Sequence, residues 1–451
     1  MALWTWSELS QLGSVSRTNG PEISGVCIDS RQAQKGDLFI ALAGDPGPRF
    51  HSSVDNPRDG HEFIPVAIQA GANAVMLSDR TSEGTYPSIQ LSDTLHGLWS
   101  LGEAAVLRCQ AKRIAITGSA GKTTLRSWLM QVLAEQFKLH GSVGSLNNHW
   151  GVPLSLSRMP RDSELGIFEI GTNHSGEISP LSCLVRPHIS VLLNVLPAHI
   201  GNFSSLAALE KEKRSIADGL EAGGCLILPE QLSSCDEREI TFGLSATADV
   251  HCRYEFHKDG WQVFAQVQGE AVQYLLRLSG EHRVLTSLAL LAVAKQLGAD
   301  LEMVATSLSE ISVPKGRGDE TLLGGVTIID DSYNANPISM GYAISALKEK
   351  PGRRIAILGE INELGNAALS YHQDIARQFG GLDQVITVGS GFSASPGDIH
   401  YESAGEIDLV ALAASLKPGD FVLIKGSNTV FWTEDFTKKL CTIIESKKGP
   451  D

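Results

Sequence analysis

The stretch ITGSAGKTTLRSWL, residues 116–129, reads as the end of a buried strand, a loop of small residues and the start of a helix. The apolar run at 114–117 suits a strand covered on both faces, and residues 124–137 have helical spacing. Between them Gly118, Ser119, Ala120 and Gly121 are small enough for the backbone to wrap closely round a polyphosphate. Loop N–H groups and the positive end of the following helix would face the anion. Lys122 would then reach the terminal phosphates, the Thr123 hydroxyl would ligate Mg²⁺, and Thr124 would complete the contact set. The spacing is GxxGKT, a variant of the commoner GxxxxGKT. This is a nucleotide site.

The rest of the chain must supply what a phosphate loop lacks. At 451 residues it exceeds one ordinary core, and roughly 150 residues per domain predicts three. A formal charge of −14 argues against nucleic acid or an anionic membrane as the main partner. MALWTWSELSQLG has neither a basic leader nor an apolar core of signal-peptide type, and VLTSLALLAVA (284–294) is too short to cross a bilayer. Seven scattered cysteines without a CxxC pair suit a reducing compartment. A cytoplasmic monomer, not inserted in membrane, is expected.

The predicted fold class is α/β in three domains. Residues 1–85 carry short strand-like runs (GVCIDS, DLFIAL, AVMLS) broken by Gly and Pro, a small α/β domain. Residues 86–314 hold the phosphate loop and apolar runs alternating with helical patterns, a mostly parallel sheet. Within them 246–280 shows three alternating runs with close turns, an antiparallel appendage, and 282–308 is helical. The Gly- and Pro-rich 312–325 reads as a hinge. Residues 315–451 (VTIID, RRIAILG, QVITVG, FVLIKG) form a second, Rossmann-like α/β unit.

Polar clusters at predicted strand ends are the informative positions, because ligands of open α/β sheets bind there. LGIFEIGTNHSGEI (165–178) ends an apolar strand with Glu169, followed by Asn173, His174 and Glu177. A buried carboxylate must be paired or metal-bound, so Glu169 is either a Mg²⁺ ligand or a salt-bridged strand end. His199 follows another strand, but a lone His is more often a satisfied surface or core residue than a ligand. LEKEKRSI (209–216) reads by default as a solvated helical face, with nothing in its spacing to single out Lys213. In the third unit Asp330 and Asp331 close a strand, and Tyr333, Asn334 and Asn336 sit in a turn fixed by Pro337. Arg317, on the hinge, could bring positive charge to a transferring phosphoryl group when the domains close.

ITGSAGKTT, SLNNHWGVPLSL, FEIGTNHSGEI, the AH of LPAHIGNFSS, DDSYNANPISM, LGEINELG and VLIKGSN occur in order across most of the chain. With IDSR (28–31) and LFIALAG (38–44) this set resembles the Mur ligases. DDSYNANPISM is similar to the member that joins D-alanyl-D-alanine to UDP-N-acetylmuramoyl-tripeptide. The resemblance implies an ATP-dependent amide ligase working through an acyl phosphate. It matches Lys122 and Thr123 to phosphate and metal positions, Glu169 to a Mg²⁺ ligand, and His199 to a ligand of a second Mg²⁺. Lys213 aligns with the family's carbamylated lysine, although EKEKRS departs from the usual small-residue context. Arg317 and Asp331 match the nucleotide-contacting Arg and the ribose-contacting Asp. The resemblance assigns Ser30, Arg31, Ala43 and Gly44 to the UDP moiety. Asn147, Asn148 and His174 fall to the muramoyl peptide, and Tyr333 and Asn336 to the D-Ala-D-Ala side.

The resemblance breaks at HRVLT (282–286), where the family commonly carries H-N-x-x-N, so Arg283 and Thr286 stand at both asparagine positions. An Asn amide reads donor and acceptor edges of adenine, whereas Arg only donates, although it could stack on the base instead. Weaker discrimination of ATP from GTP is the expectation. Three other readings compete: an amino-acid ligase of the same superfamily acting on another muramoyl peptide or on folate, a P-loop ATPase or binding module without ligase chemistry, and a degenerate ligase retained as a scaffold, which only the altered HRVLT segment supports. The YNANP turn argues against the first. The set Glu169, His199 and Lys213 argues against the second.

Overall fold

Strand alternation, read against a computed structural model that describes residues 2–43, 59–78, 85–198, 200–257 and 260–446, resolves into three sheets among those residues. The first sheet runs in the order Ser14–Val15, Ser88–Leu91, Ala74–Ser78, Asp37–Ile40, Gly25–Cys27, parallel except for the first pair. Period-2 alternation splits it cleanly: Leu38, Ile40 and Met76 join Trp4, Trp6 and Leu9 on one face, while Phe39, Val75 and Leu77 cover the other. The boundary expected at 85/86 falls too early. Val75–Ser78 pairs with Ser88–Leu91, so the first sheet extends to Leu91. Helix Thr94–Arg108 then serves both units, Leu98, Leu101 and Ala105 packing on the first and Val106 on the second.

The central sheet runs Glu270–Leu276, Gly260–Val267, Val250–His257, Glu239–Gly243, Cys225–Pro229, Ile189–Leu192, Lys112–Thr117, Leu165–Glu169, Leu139–Gly141. It is parallel apart from the three-stranded antiparallel appendage at one edge. From Lys112–Thr117 the chain builds first to one side and then to the other, so the strand order reverses there. Ile116 registers with Glu169 and Thr117 with Leu192, which brings three strand ends side by side at the switch point, where ligands of such sheets bind. The phosphate-loop helix is Lys122–Val132, starting earlier and ending sooner than the spacing predicted; Leu125, Trp128, Leu129 and Val132 form its buried stripe. The predicted helical stretch 282–308 is two helices, His282–Leu297 and Leu301–Leu308. Gly298 closes the first at φ +73° and Asp300 caps the second through the N–H groups of Glu302 and Met303.

The third sheet runs Asp319–Leu323, Val326–Asp331, Phe421–Lys425, Arg354–Gly359, Gln384–Val388, Ile399–Tyr401, parallel except for the first pair. The predicted hinge is therefore shorter than 312–325. Asp319–Leu323 is an edge strand, hairpinned to Val326–Asp331 through Gly324 and Gly325, both at positive φ. Among the described residues no helix is long and apolar enough to cross a membrane.

Candidate active site

Two glycines shape the loop after Lys112–Thr117. Gly121 caps the helix at φ +82°, and a Cβ on Gly118 would stand 3.0 Å from that of Leu193. Asn194 clamps the loop: its Oδ1 accepts from Ala120 N (3.0 Å) and its Nδ2 donates to Ala120 O (3.1 Å). Ser119 Oγ donates to Leu196 O at 2.8 Å and accepts from Leu196 N at 2.9 Å. Lys122 folds back so that Nζ donates to Gly118 O at 2.9 Å. Burial pulls its ammonium below the ordinary lysine value; Glu169 opposes that shift and Arg317 adds to it.

Glu169, 2% exposed at its strand end, accepts from Thr123 Oγ1 (2.9 Å) and from Asn147 Nδ2 (2.8 Å), with Arg126 Nε 3.8 Å away. Its burial is thus compensated on both oxygens. Thr123 Oγ1 and Glu169 Oε2 stand 2.9 Å apart, the spacing of adjacent oxygens around an octahedral Mg²⁺ with ligands at about 2.1 Å. The pair fits that ion. Among the described residues no group of three or more His, Cys, Asp and Glu gathers, so a metal here would rest on this pair and on ligand oxygens.

Arg317 arrives from the linker. Its Nη2 donates to Thr123 Oγ1 at 3.1 Å, and its guanidinium lies 3.9 Å from the Tyr333 ring centroid, a cation–π contact. Tyr333 in turn donates from its hydroxyl to Ser145 Oγ at 2.6 Å. Across the same cavity Asp331 Oδ2 accepts from Lys425 Nζ at 2.7 Å, and Lys425 also donates to Asn334 O at 3.1 Å. Asn336 Oδ1 accepts from Ser339 N at 2.8 Å, capping helix Pro337–Lys348. Lys122, Thr123, Glu169, Arg317, Asp331 and Tyr333 border one cavity of about 520 Å³ between the central and third sheets. At its other end His282 stacks on Tyr342, ring centroids 5.0 Å apart and planes 10° from parallel; burial pushes its imidazole down to about 3, so it is neutral.

Residues 116–294 match the Mur ligase middle domain and residues 318–428 the Mur ligase glutamate ligase domain. The chain is 30% identical over 428 residues to the UDP-N-acetylmuramoyl-tripeptide–D-alanyl-D-alanine ligase of Bacillus subtilis strain 168, covering 90% of each. The chain belongs to the Mur ligase family. The Escherichia coli K12 relative of the same name is 29% identical over 448 residues, covering 94% of this chain and 96% of its own. Among solved structures, MurF from Acinetobacter baumannii superposes with a TM-score of 0.85 at 28% identity, over 97% of this chain and 99% of that one. Its three-sheet architecture is that of this Mur ligase, which is an ATP-dependent, amide-forming ligase of peptidoglycan synthesis.

Other expected site residues of this Mur ligase lie apart from the cavity wall. Asn148 spends its Oδ1 on Trp150 N and Gly151 N (3.2 and 2.9 Å), anchoring the start of helix Gly151–Ser157. His174 stands 3.5 Å from Glu177 Oε1. Arg31 is 85% exposed at its side chain and forked onto Asp29 (2.9 and 2.7 Å), beside a buried Ser30. Ala43 is exposed. Gly44 and His199 lie outside the described residues.

The charged stretch 209–216 is not a wholly solvated face. Glu212 and Lys213 on helix Leu206–Arg214 are both buried, Lys213 to 3% exposure. Glu212 accepts from Gly176 N, Glu177 N and Ile178 N at 2.7–3.0 Å, holding the N-terminus of helix Ile178–Val185. Desolvation, with Lys122 pushing the same way, sets the Lys213 amine well below its ordinary value.

Two residues that line or brace the site escaped the sequence reading. Lys425 is 2% exposed in an otherwise apolar strand, the very signal that singled out Glu169. Asn194 carried no such signal, because its partner in the loop is 74 residues away.

Proposed function

We propose that this Mur ligase joins D-alanyl-D-alanine to UDP-N-acetylmuramoyl-tripeptide, in a reducing cytoplasm that keeps its seven cysteines free. The observation that carries the reading is the convergence of the phosphate loop, Glu169 and Arg317 on a cavity shared with the YNANP turn. The relatives named above carry that activity in their names.

The terminal carboxylate of the tripeptide attacks the γ-phosphorus of ATP, forming an acyl phosphate and releasing ADP. The neutral amine of D-Ala-D-Ala then adds to the acyl carbon. The tetrahedral intermediate collapses with loss of phosphate and of the amine proton. A carboxylate is a poor acyl donor until its oxygen becomes a phosphate leaving group, which is why ATP is spent. Lys122 and Arg317 supply positive charge to the transferring phosphoryl group, and loop N–H groups cradle its neighbours. Thr123 and Glu169 would hold Mg²⁺, which supplies further neutralisation of phosphate charge. Asp331 takes the ribose hydroxyls. Tyr333 and Asn336 border the incoming dipeptide. Hydroxylamine added to enzyme, ATP and the UDP-tripeptide, without dipeptide, should yield the tripeptide hydroxamate; ADP formation with no hydroxamate would contradict an acyl phosphate.

Lys213 is proposed to be carbamylated and, with His199, to hold a second Mg²⁺. The step needs a neutral amine, which attacks CO₂ to form an N–C bond and loses one proton to solvent. Burial lowers the Lys213 pKa, so the neutral amine persists to lower pH than in a free lysine. The carbamate is therefore expected to be lost as pH falls through that depressed value, and added bicarbonate should counter the loss. Enzyme equilibrated with ¹³C-bicarbonate should show a carbamate resonance that Lys213→Ala lacks. A spectrum identical in both proteins would remove the modification.

A further inference from the structure

Arg283 stands where the Mur ligase pattern has an adenine-reading Asn, yet its guanidinium is committed elsewhere. It is buried on helix His282–Leu297, and its Nη2 donates to two successive linker carbonyls, Arg317 O at 3.2 Å and Gly318 O at 3.3 Å. The linker is shaped to receive it. Gly318 has φ +83°, and a Cβ there would come within 2.5 Å of Arg283 Nη2. Neighbouring bonds fix the rest of the turn: Arg317 N to Pro314 O at 3.1 Å, Gly316 N to Asp319 Oδ1 at 2.6 Å, and Gly318 N to Asp330 O at 2.6 Å. Asp331, Glu320 and Asp319 offset the charge of the buried guanidinium. One donor group of the central unit thus grips the backbone of the residue whose own side chain reaches Thr123 Oγ1 at 3.1 Å.

We propose that Arg283 is a positioning residue for the ligase reaction: by pinning the carbonyls of Arg317 and Gly318 to the central unit, it holds the Arg317 guanidinium over the phosphate loop. The proposal rests on the reading of Arg317 as the cation serving the transferring phosphoryl group. A planar guanidinium suits the task, since one nitrogen carries two N–H donors in a fixed fork. An Asn here is too short to replace it. The consequence is a linker held at the phosphate loop by a protein–protein contact rather than by the nucleotide alone, with base selection left to other groups.

The test is a double-mutant cycle in the full-length enzyme, with steady-state phosphate release from ATP and from GTP and a thermal midpoint for each variant. Arg283→Ala should lower kcat by about 10- to 100-fold, the cost of a misplaced catalytic group. The ratio of kcat/KM for ATP to that for GTP should change less than about threefold, and Arg283→Lys should recover part of kcat. In an Arg317→Ala background, Arg283→Ala should cost less than about twofold, because both changes remove one function. Full additivity in the cycle, or a loss confined to KM and base selectivity, would overturn the proposal. If Arg283→Ala does not fold, the cycle with Arg283→Lys decides by the same criterion, its kcat deficit vanishing in the Arg317→Ala background or persisting. An Arg317→Ala enzyme with unchanged kcat would instead overturn the underlying reading of Arg317.

Discussion

Replacing Lys122 with alanine is expected to lower kcat about 10³-fold, on the scale of losing one preorganised charge at a developing anion. The thermal midpoint should stay level or rise. Lys122 Nζ donates to Gly118 O, and its remaining protons would serve the phosphate oxygens of a bound nucleotide. Burial works against its charge more than Glu169 offsets, and Arg317 adds to that cost. The folded protein carries the penalty of the ammonium for the sake of the nucleotide. Lys122→Ala removes penalty and function together. Steady-state phosphate release with a parallel thermal melt checks both halves. A loss below about tenfold, or a midpoint lowered by several degrees, would assign Lys122 to the fold instead.

Asp331→Ala is expected to destabilise the third unit by about 3 kcal/mol and to raise the KM for ATP. Removing one partner of a buried ion pair leaves the other charge uncompensated, which costs about 3–5 kcal/mol; the low end applies because the Asp331 side chain is 21% exposed. Lys425 would keep only the Asn334 carbonyl. The diagnosis can be separated from general damage by a second change. In Asp331→Ala/Lys425→Met the stranded ammonium is gone, so urea unfolding should recover most of the lost stability while the KM defect remains. Equal instability of the single and double variants would show that the ion pair is not the cause.

Which parts of this molecule were legible follows from the range over which each signal acts. Apolar runs and helical spacing are local, and they located the strand before the phosphate loop, the antiparallel appendage and the Rossmann-like third sheet. The strand Ser88–Leu91 is hard to read from sequence because its half-exposed pattern is weak; only its pairing with Val75–Ser78 shows where it belongs. Asp319–Leu323 reads as part of the hinge for a related reason. It is an edge strand with mostly exposed side chains, so it lacks an apolar run.

The site divides in the same way. Glu169 could be picked out because a carboxylate in a buried strand must be compensated, and Lys425 satisfies the same rule in FVLIKG. Glu212 could not be, and Lys213 only through the resemblance, since LEKEKRSI reads identically whether or not another helix docks its N-terminus on Glu212. The direction of Arg283 was also outside the reach of sequence. Its chemistry ruled out an amide-like reading of adenine, but its commitment to the Arg317 linker emerges only from the fold.

The most direct test of the whole account is phosphate release from MgATP with UDP-N-acetylmuramoyl-tripeptide, D-alanyl-D-alanine, both or neither, with the product identified by mass. Sustained release is expected only with both substrates, matched mole for mole by UDP-N-acetylmuramoyl-pentapeptide. Release with neither, or release with both but no joined product, would contradict it and leave a phosphate-loop ATPase on a Mur ligase fold.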